Sequence, residues 1–365
     1  MINNKLIAYL LLFLTLSCGS EEDARKKTQI SQQEDALAQS ISLVTNPKFK
    51  PKSFPIKAKN CEIPDLAFNL GSAYYPTNQS LMVMATAIPG WKKAEKIKEQ
   101  MDSWGVKEYE LFGKNNKGQH RGFVADMDGF LLVAFRGTSD IKEFFLDITF
   151  VQVPVDNLGL PGKAHMGFKI QYENVRKKYL SLVDKIDNGR NLPIVVAGHS
   201  LGGAVGVFAA LELEAKGKRL HKLYASAAPR VGNQALTNHI NEKLAGKYYR
   251  LEHDEDLVTH VPPRVETKDI LASILAGFFS LDKLVASAIK QANYGEHAGV
   301  AYSFNSESAS NVENLLDHEL DFWNQMTNNG NGNLISFALM LNEKLPFHKT
   351  KHYLCGFAKH HDSVK

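Results

Sequence analysis

Four apolar runs stand out along the chain: FLLVAFRG at 130–137, LPIVVAG at 192–198, KLYASAAP at 222–229 and KYYRLEHD at 247–254. Each is short and bounded by glycine, proline or charge, which predicts a strand rather than a buried helix. Between them, apolar positions recur with helical spacing over roughly 167–187, 200–217 and 233–244. Near-continuous apolar strands alternating with helices predict a mostly parallel central sheet with helices on both faces, an α/β architecture. No internal repeat of fixed period interrupts the pattern, so one α/β domain is expected over 61–365.

Two other stretches depart from this pattern. The chain opens with one lysine, an apolar run of about a dozen residues and then Ser17-Cys18-Gly19, too short a run to span a bilayer as a stable helix. Residues 1–18 therefore read as an export signal. The cysteine directly after the run resembles a bacterial lipoprotein signal, which implies lipidation at Cys18 and attachment to a membrane facing the periplasm or cell surface. An ordinary cleaved signal, with Cys18 lost and the protein secreted, is the alternative. Residues 19–60 are polar and punctuated by Pro47, Pro51 and Pro55, as a flexible tether would be.

Charge sharpens that division. The chain of 365 residues carries 43 Lys and Arg against 39 Asp and Glu. Residues 1–60 hold nine of the bases and five of the acids, so the tail supplies the whole net charge of +4 and the remainder is neutral, 34 against 34. A folded part without basic excess argues against a nucleic-acid partner. Beyond Cys18 only Cys61 and Cys355 remain. In an oxidising compartment a bridge between them would join the ends of the domain; two buried thiols are the alternative.

The chemistry centres on VVAGHSLGGAV, where Gly198-His199-Ser200-Leu201-Gly202 has the form G-x-S-x-G. It follows an apolar strand and opens a helix, the context of a nucleophile elbow. Such a turn strains the serine and crowds its neighbours, which is why residues without a β-carbon, here Gly198, Gly202 and Gly203, flank it. The hydroxyl then stands at a helix N-terminus, where backbone N–H groups favour developing negative charge. Service of Ser200 as a simple helix cap is the structural alternative. A serine needs a base to take its proton and an acid to hold that base, and in α/β-hydrolases these follow in the order Ser, Asp, His.

LLVAFRGTSDIKEFFLDITFVQV, GKAHMGFKIQYENV, VVAGHSLGGAVGVFAALEL, YASAAPRVGN and DLVTHVPPRV resemble, in that order, blocks of the fungal-type class 3 lipase family, over most of 130–265. The resemblance implies an α/β-hydrolase fold and a serine carboxyl-ester hydrolase. It makes Asp256 the acid, with Asp254 as competitor. Seven histidines follow Asp256. His260 shares the block of the acid, His297 looks like a structural block, and His318, in LLDHELDFW, precedes an aromatic as the family's base does; the histidines of the tail are further candidates. His199 is expected to pack beside the nucleophile. The resemblance also implies an oxyanion hole made by Leu201, the residue after the nucleophile, and Thr138, which follows F-R-G.

Phe144 and Phe145 stand where relatives carry a short lid. A second apolar segment, within an insertion at about 266–292, reads either as a helix packed on the domain or as a flap over the pocket or membrane. The expected substrate is an acylglycerol at a membrane or oil interface. Phospholipase A activity, short-chain or feruloyl-type esterase activity, and a surface lipoprotein without catalysis are the alternatives. With no metal-ligand pattern and no lysine after the glycine-rich turn to make a P-loop, no metal and no cofactor are expected.

Overall fold

The computed structural model describes residues 76–138, 150–269, 292–304 and 348–359, with short pieces at 52–53, 67–68, 309–311, 319–320 and 322–323. In chain order the strands are β1 (Lys52–Ser53), β2 (Ala67–Phe68), β3 (Glu108–Phe112), β4 (Gly122–Asp126), β5 (Leu131–Phe135), β6 (Gln152–Pro154), β7 (Lys163–His165), β8 (Ile194–His199), β9 (Leu220–Ser226), β10 (Tyr248–His253), β11 (Val300–Phe304) and β12 (Ala309–Asn311). The α-helices are α1 (Pro76–Ala87), α2 (Ala94–Ser103), α3 (Met166–Asp187), α4 (Leu201–Ala215), α5 (Gln234–Lys243) and α6 (Thr350–Lys359).

Eight of the strands form one sheet in the order β12-β11-β10-β9-β8-β5-β4-β3. Its centre, from β5 through β8, β9 and β10 to β11, is parallel, and antiparallel strands are added at both ends. The fold is therefore α/β with a mostly parallel central sheet. Side chains alternate across each strand, so the apolar runs feed two cores. Leu131, Val133, Phe135, Ile194 and Val196 pack with Tyr179 and Leu182 of α3 and Phe208 of α4. Leu132, Ala134, Val195 and Ala197 pack on the other side with Leu81 of α1, Met101 of α2 and Tyr353 of α6. Burial on both faces is the reason these strands read as continuous apolar runs.

The strands and helices expected over 130–254 coincide with β5, β8, β9, β10 and α3 to α5 within a few residues. The edge strands β3 and β4 and the helices α1, α2 and α6 had no counterpart in that reading. Inside the stretch read as tether, β1 pairs with β2. The lid candidates Phe144 and Phe145, and 270–291 of the insertion, lie outside the described residues.

Helix α4 departs from ordinary amphipathic patterning, being buried from Leu201 to Leu211 and again at Leu213. An all-round apolar helix belongs in the interior, and α4 packs on β8, β9 and β5 with α3 beside it on the same face of the sheet. Its first polar residue toward the C-terminus, Glu212, receives both arms of the Arg176 guanidinium from α3, each at 2.8 Å. The entry to α3 is fixed by His165, whose Nδ1 accepts from the Gly167 N–H at 3.1 Å.

Candidate active site

Ser200 joins β8 to α4 at φ 55° and ψ −129°, a left-handed backbone that only a few non-glycine residues adopt. Two contacts hold the turn this tight. A β-carbon on Gly198 would lie 2.2 Å from the Gly202 oxygen, and one on Gly202 would lie 2.3 Å from the Phe135 oxygen, so the elbow closes only on bare backbone. The Ser200 side chain makes no capping bond. Its N–H donates to the Ser226 carbonyl at 2.9 Å, while its Oγ is buried with no hydrogen-bond partner. Leu201 opens α4, so its N–H is one of the four that a helix leaves without an internal acceptor. Thr138 follows Gly137, where a β-carbon would lie 3.0 Å from the Ser200 Cβ; the end of β5 is thus laid against the elbow.

Asp256 follows β10 and caps the short 3-10 turn Leu257–His260, its Oδ1 accepting from the Val258 N–H at 2.9 Å. Its Oδ2 accepts from the Tyr353 hydroxyl at 2.6 Å. The same carboxylate receives an imidazole: His348 Nδ1 lies 2.8 Å from Oδ2 and 3.0 Å from Oδ1. Full burial by itself would raise the Asp256 carboxyl, but the charge and hydrogen bond of His348, with those of Tyr353 and the Val258 N–H, hold it below the usual aspartate range. Burial in turn pushes the Tyr353 phenol well above its ordinary value, and the neighbouring carboxylate adds to the shift. A carboxylate only accepts, so Nδ1 carries a proton, and a ring protonated there alone presents a bare lone pair at Nε2. That Nε2 is buried and has no partner.

The expected base is His318; the ring that the structure places on Asp256 is His348. His318 lies outside the described residues. Its neighbour Glu319 takes an ion pair from Arg230 and accepts from Thr267 Oγ1 at 2.7 Å and Trp323 Nε1 at 3.3 Å. Arg230 NH1 reaches the carbonyls of His260 and Pro262, at 3.0 and 2.9 Å, so the aromatic-flanked segment around Glu319 braces the acid loop. His348 carried no comparable mark. It stands at the head of α6, whose inward Tyr353 also reaches Asp256.

The other candidates are engaged elsewhere. The Asp254 carboxylate accepts from Ser303 of β11. His297 Nε2 bonds to the Ala228 carbonyl at 3.0 Å, and burial holds its pKa well below the ordinary value. His260 stacks on Phe322 with ring centroids 3.8 Å apart. His199 contacts His348 without touching Asp256. Cys355 is disulfide-bonded; Cys61 and Cys18 lie outside the described residues.

Ser200 thus stands on a strained strand-to-helix turn of a mostly parallel sheet, and the carboxylate-bound imidazole of His348 lies against the adjoining His199. Residues 132–266 match the Lipase (class 3) family. Among similar proteins, the secreted mono- and diacylglycerol lipase A of Penicillium cyclopium is 38% identical over 135 residues, 36% of this chain and 43% of that protein. A lipase of Rhizomucor miehei is 31% identical over 202 residues, 52% of this chain and 53% of that protein. The chain thus spans about half the length of the relatives it matches. Among solved structures, lipase II from Rhizopus niveus aligns with a TM-score of 0.47 at 20% identity, covering 65% of this chain and 83% of that one.

Proposed function

We propose that the protein is an exported serine carboxyl-ester hydrolase that cleaves acylglycerols through an acyl-enzyme, with Ser200, His348 and Asp256 as its triad. One observation carries the reading. The Ser200 hydroxyl and His348 Nε2 are both buried and unpartnered, while the other nitrogen of that imidazole is tied to a fully buried carboxylate. Orphaned polar atoms in an interior are costly, and a nucleophile and its base are the atoms a substrate would engage.

In this reading His348 Nε2 takes the Ser200 proton as Oγ attacks the ester carbonyl. The N–H of Leu201, with Thr138, receives the oxyanion; each such donor contributes about 3 to 4 kcal/mol in enzymes of this kind. Asp256 stabilises the imidazolium, which then protonates the departing alcohol. Water, deprotonated by the same ring, attacks the acyl-enzyme, and Ser200 leaves with its proton restored.

The acylglycerol assignment draws on the similarity to the mono- and diacylglycerol lipase of Penicillium cyclopium. Purified full-length chain is offered mono-, di- and triacylglycerols, phosphatidylcholine and short nitrophenyl esters, alongside labelling by a fluorophosphonate. The expected result is fastest turnover on acylglycerols and labelling that Ser200→Ala abolishes. Faster turnover of phosphatidylcholine or short esters reassigns the substrate; no labelling of the wild type leaves a non-catalytic surface protein.

Localisation is a separate proposal, resting on the apolar run that ends at Cys18: after export, Cys18 is lipidated and tethers the enzyme to the membrane it works on. Metabolic labelling with a fatty acid, lost in Cys18→Ser, is the expected result. An unlabelled chain in the medium replaces the anchor with simple secretion.

A further inference from the structure

The histidine beside the nucleophile has a place in the site that the triad does not use. His199 ends β8 and is buried, and both ring nitrogens are engaged. Nε2 lies 2.9 Å from the backbone oxygen of His348, and Nδ1 lies 2.9 Å from Ser226 Oγ at the end of β9. A carbonyl only accepts, so Nε2 carries the proton and Nδ1 accepts from the Ser226 hydroxyl. Ser226 also holds the neighbouring residue through its backbone, since its carbonyl accepts from the Ser200 N–H at 2.9 Å.

We infer that His199 is a positioning residue: its ring fixes the main chain of His348 relative to the nucleophile elbow. The base comes from a segment 148 positions beyond the nucleophile in sequence, numbered 348 against 200, and its Asp256 contact restrains only the imidazole. His199 restrains the backbone at the same residue from the strand that delivers Ser200. Burial foremost, with His348 beside it, lowers the His199 pKa to about 3, so the ring stays neutral while His348 cycles. A second positive charge there would oppose proton uptake by His348, whose ring centroid is 5.0 Å away.

The inference rests on the proposed triad, and the experiment separates the two. Wild type, His199→Phe, His199→Asn and His199→Gln are compared for kcat, KM and the rate of fluorophosphonate labelling. Glutamine offers an amide N–H to the His348 carbonyl and an oxygen to Ser226; asparagine is too short to reach both, and phenylalanine keeps only the packing. The expected result is a fall in kcat and labelling of about 10- to 100-fold for Phe and Asn, with KM unchanged, and recovery of most of it in Gln, as for an ångström-scale misplacement of a reacting group. If Phe does not fold, the Asn and Gln pair carries the comparison. Equal kcat in Asn and Gln, or a wild-type rate in Phe, overturns the positioning role. An unlabelled wild type overturns the triad instead.

Discussion

Tyr353→Phe tests the electrostatic setting of the site without disturbing its shape. The ring volume is kept, and with it the edge-on contact with Phe304, centroids 5.4 Å apart. Two hydrogen bonds are lost: the one the hydroxyl donates to Asp256 at 2.6 Å and the one it accepts from the His253 N–H at 3.2 Å. The first is made to a charged group and contributes about 1.5 to 3 kcal/mol, and the second, longer and uncharged, contributes about 0.5 to 1.5. Relief from burying the phenol offsets about 1 to 3 kcal/mol, so the mid-values leave a net loss at neutral pH of about 1 kcal/mol. The pH dependence identifies the carboxylate's share. Because the folded pKa of Asp256 is depressed, its ionisation adds stability above the ordinary aspartate value of about 3.9, lost as pH falls from there through the folded value. Removing a donor raises the folded value toward the ordinary one. The gap between wild type and variant is therefore wide at pH 7 and narrows toward pH 3. Urea unfolding followed by the fluorescence of the buried Trp104 and Trp323 measures it. A gap of one size at both pH values, or none at pH 7, would refute the argument.

Asp256→Asn is expected to lower kcat by about 10⁴ while leaving circular dichroism unchanged, because the amide favours the wrong tautomer of His348; a near wild-type rate would move the acid elsewhere. Gly198→Ala puts a methyl 2.2 Å from the Gly202 oxygen and 2.6 Å from the Gly203 Cα, so the elbow must spread. Overpacking against backbone should cost about 3 kcal/mol or more in chemical denaturation, and an alanine variant of wild-type stability and activity would show the turn to be looser than described. Arg230→Met leaves the Glu319 carboxylate buried without its cation and should destabilise by about 3 to 5 kcal/mol; Arg230→Met with Glu319→Gln should recover part of that, and no recovery would deny the pairing.

The parts of the fold legible in the sequence are those where one physical demand dominates. Strands β5 and β8 are buried on both faces and carry almost nothing but apolar residues. The elbow is legible because close backbone contact demands glycine on both sides of Ser200. Strand β3 is only partly buried, and EYELF has no clean alternation to mark it. The segment at 318–323 displays aromatic and acidic residues that resemble a site, yet the described ones are engaged in packing and in the Arg230 ion pair. His348 is the converse. Its environment is made by tertiary contacts with Asp256 and His199, separated from it by 92 and 149 positions, and no local pattern announces them.

That long separation orders events in time. A ribosome delivers Ser200 first, then Asp256, and His348 only after a further stretch of chain, so the hydroxyl and carboxylate exist together well before any ring can bridge them. Until the head of α6 docks, the nascent polypeptide holds a formed turn and a carboxylate without their imidazole, and the triad proposed above stays inert while the rest of the chain is made.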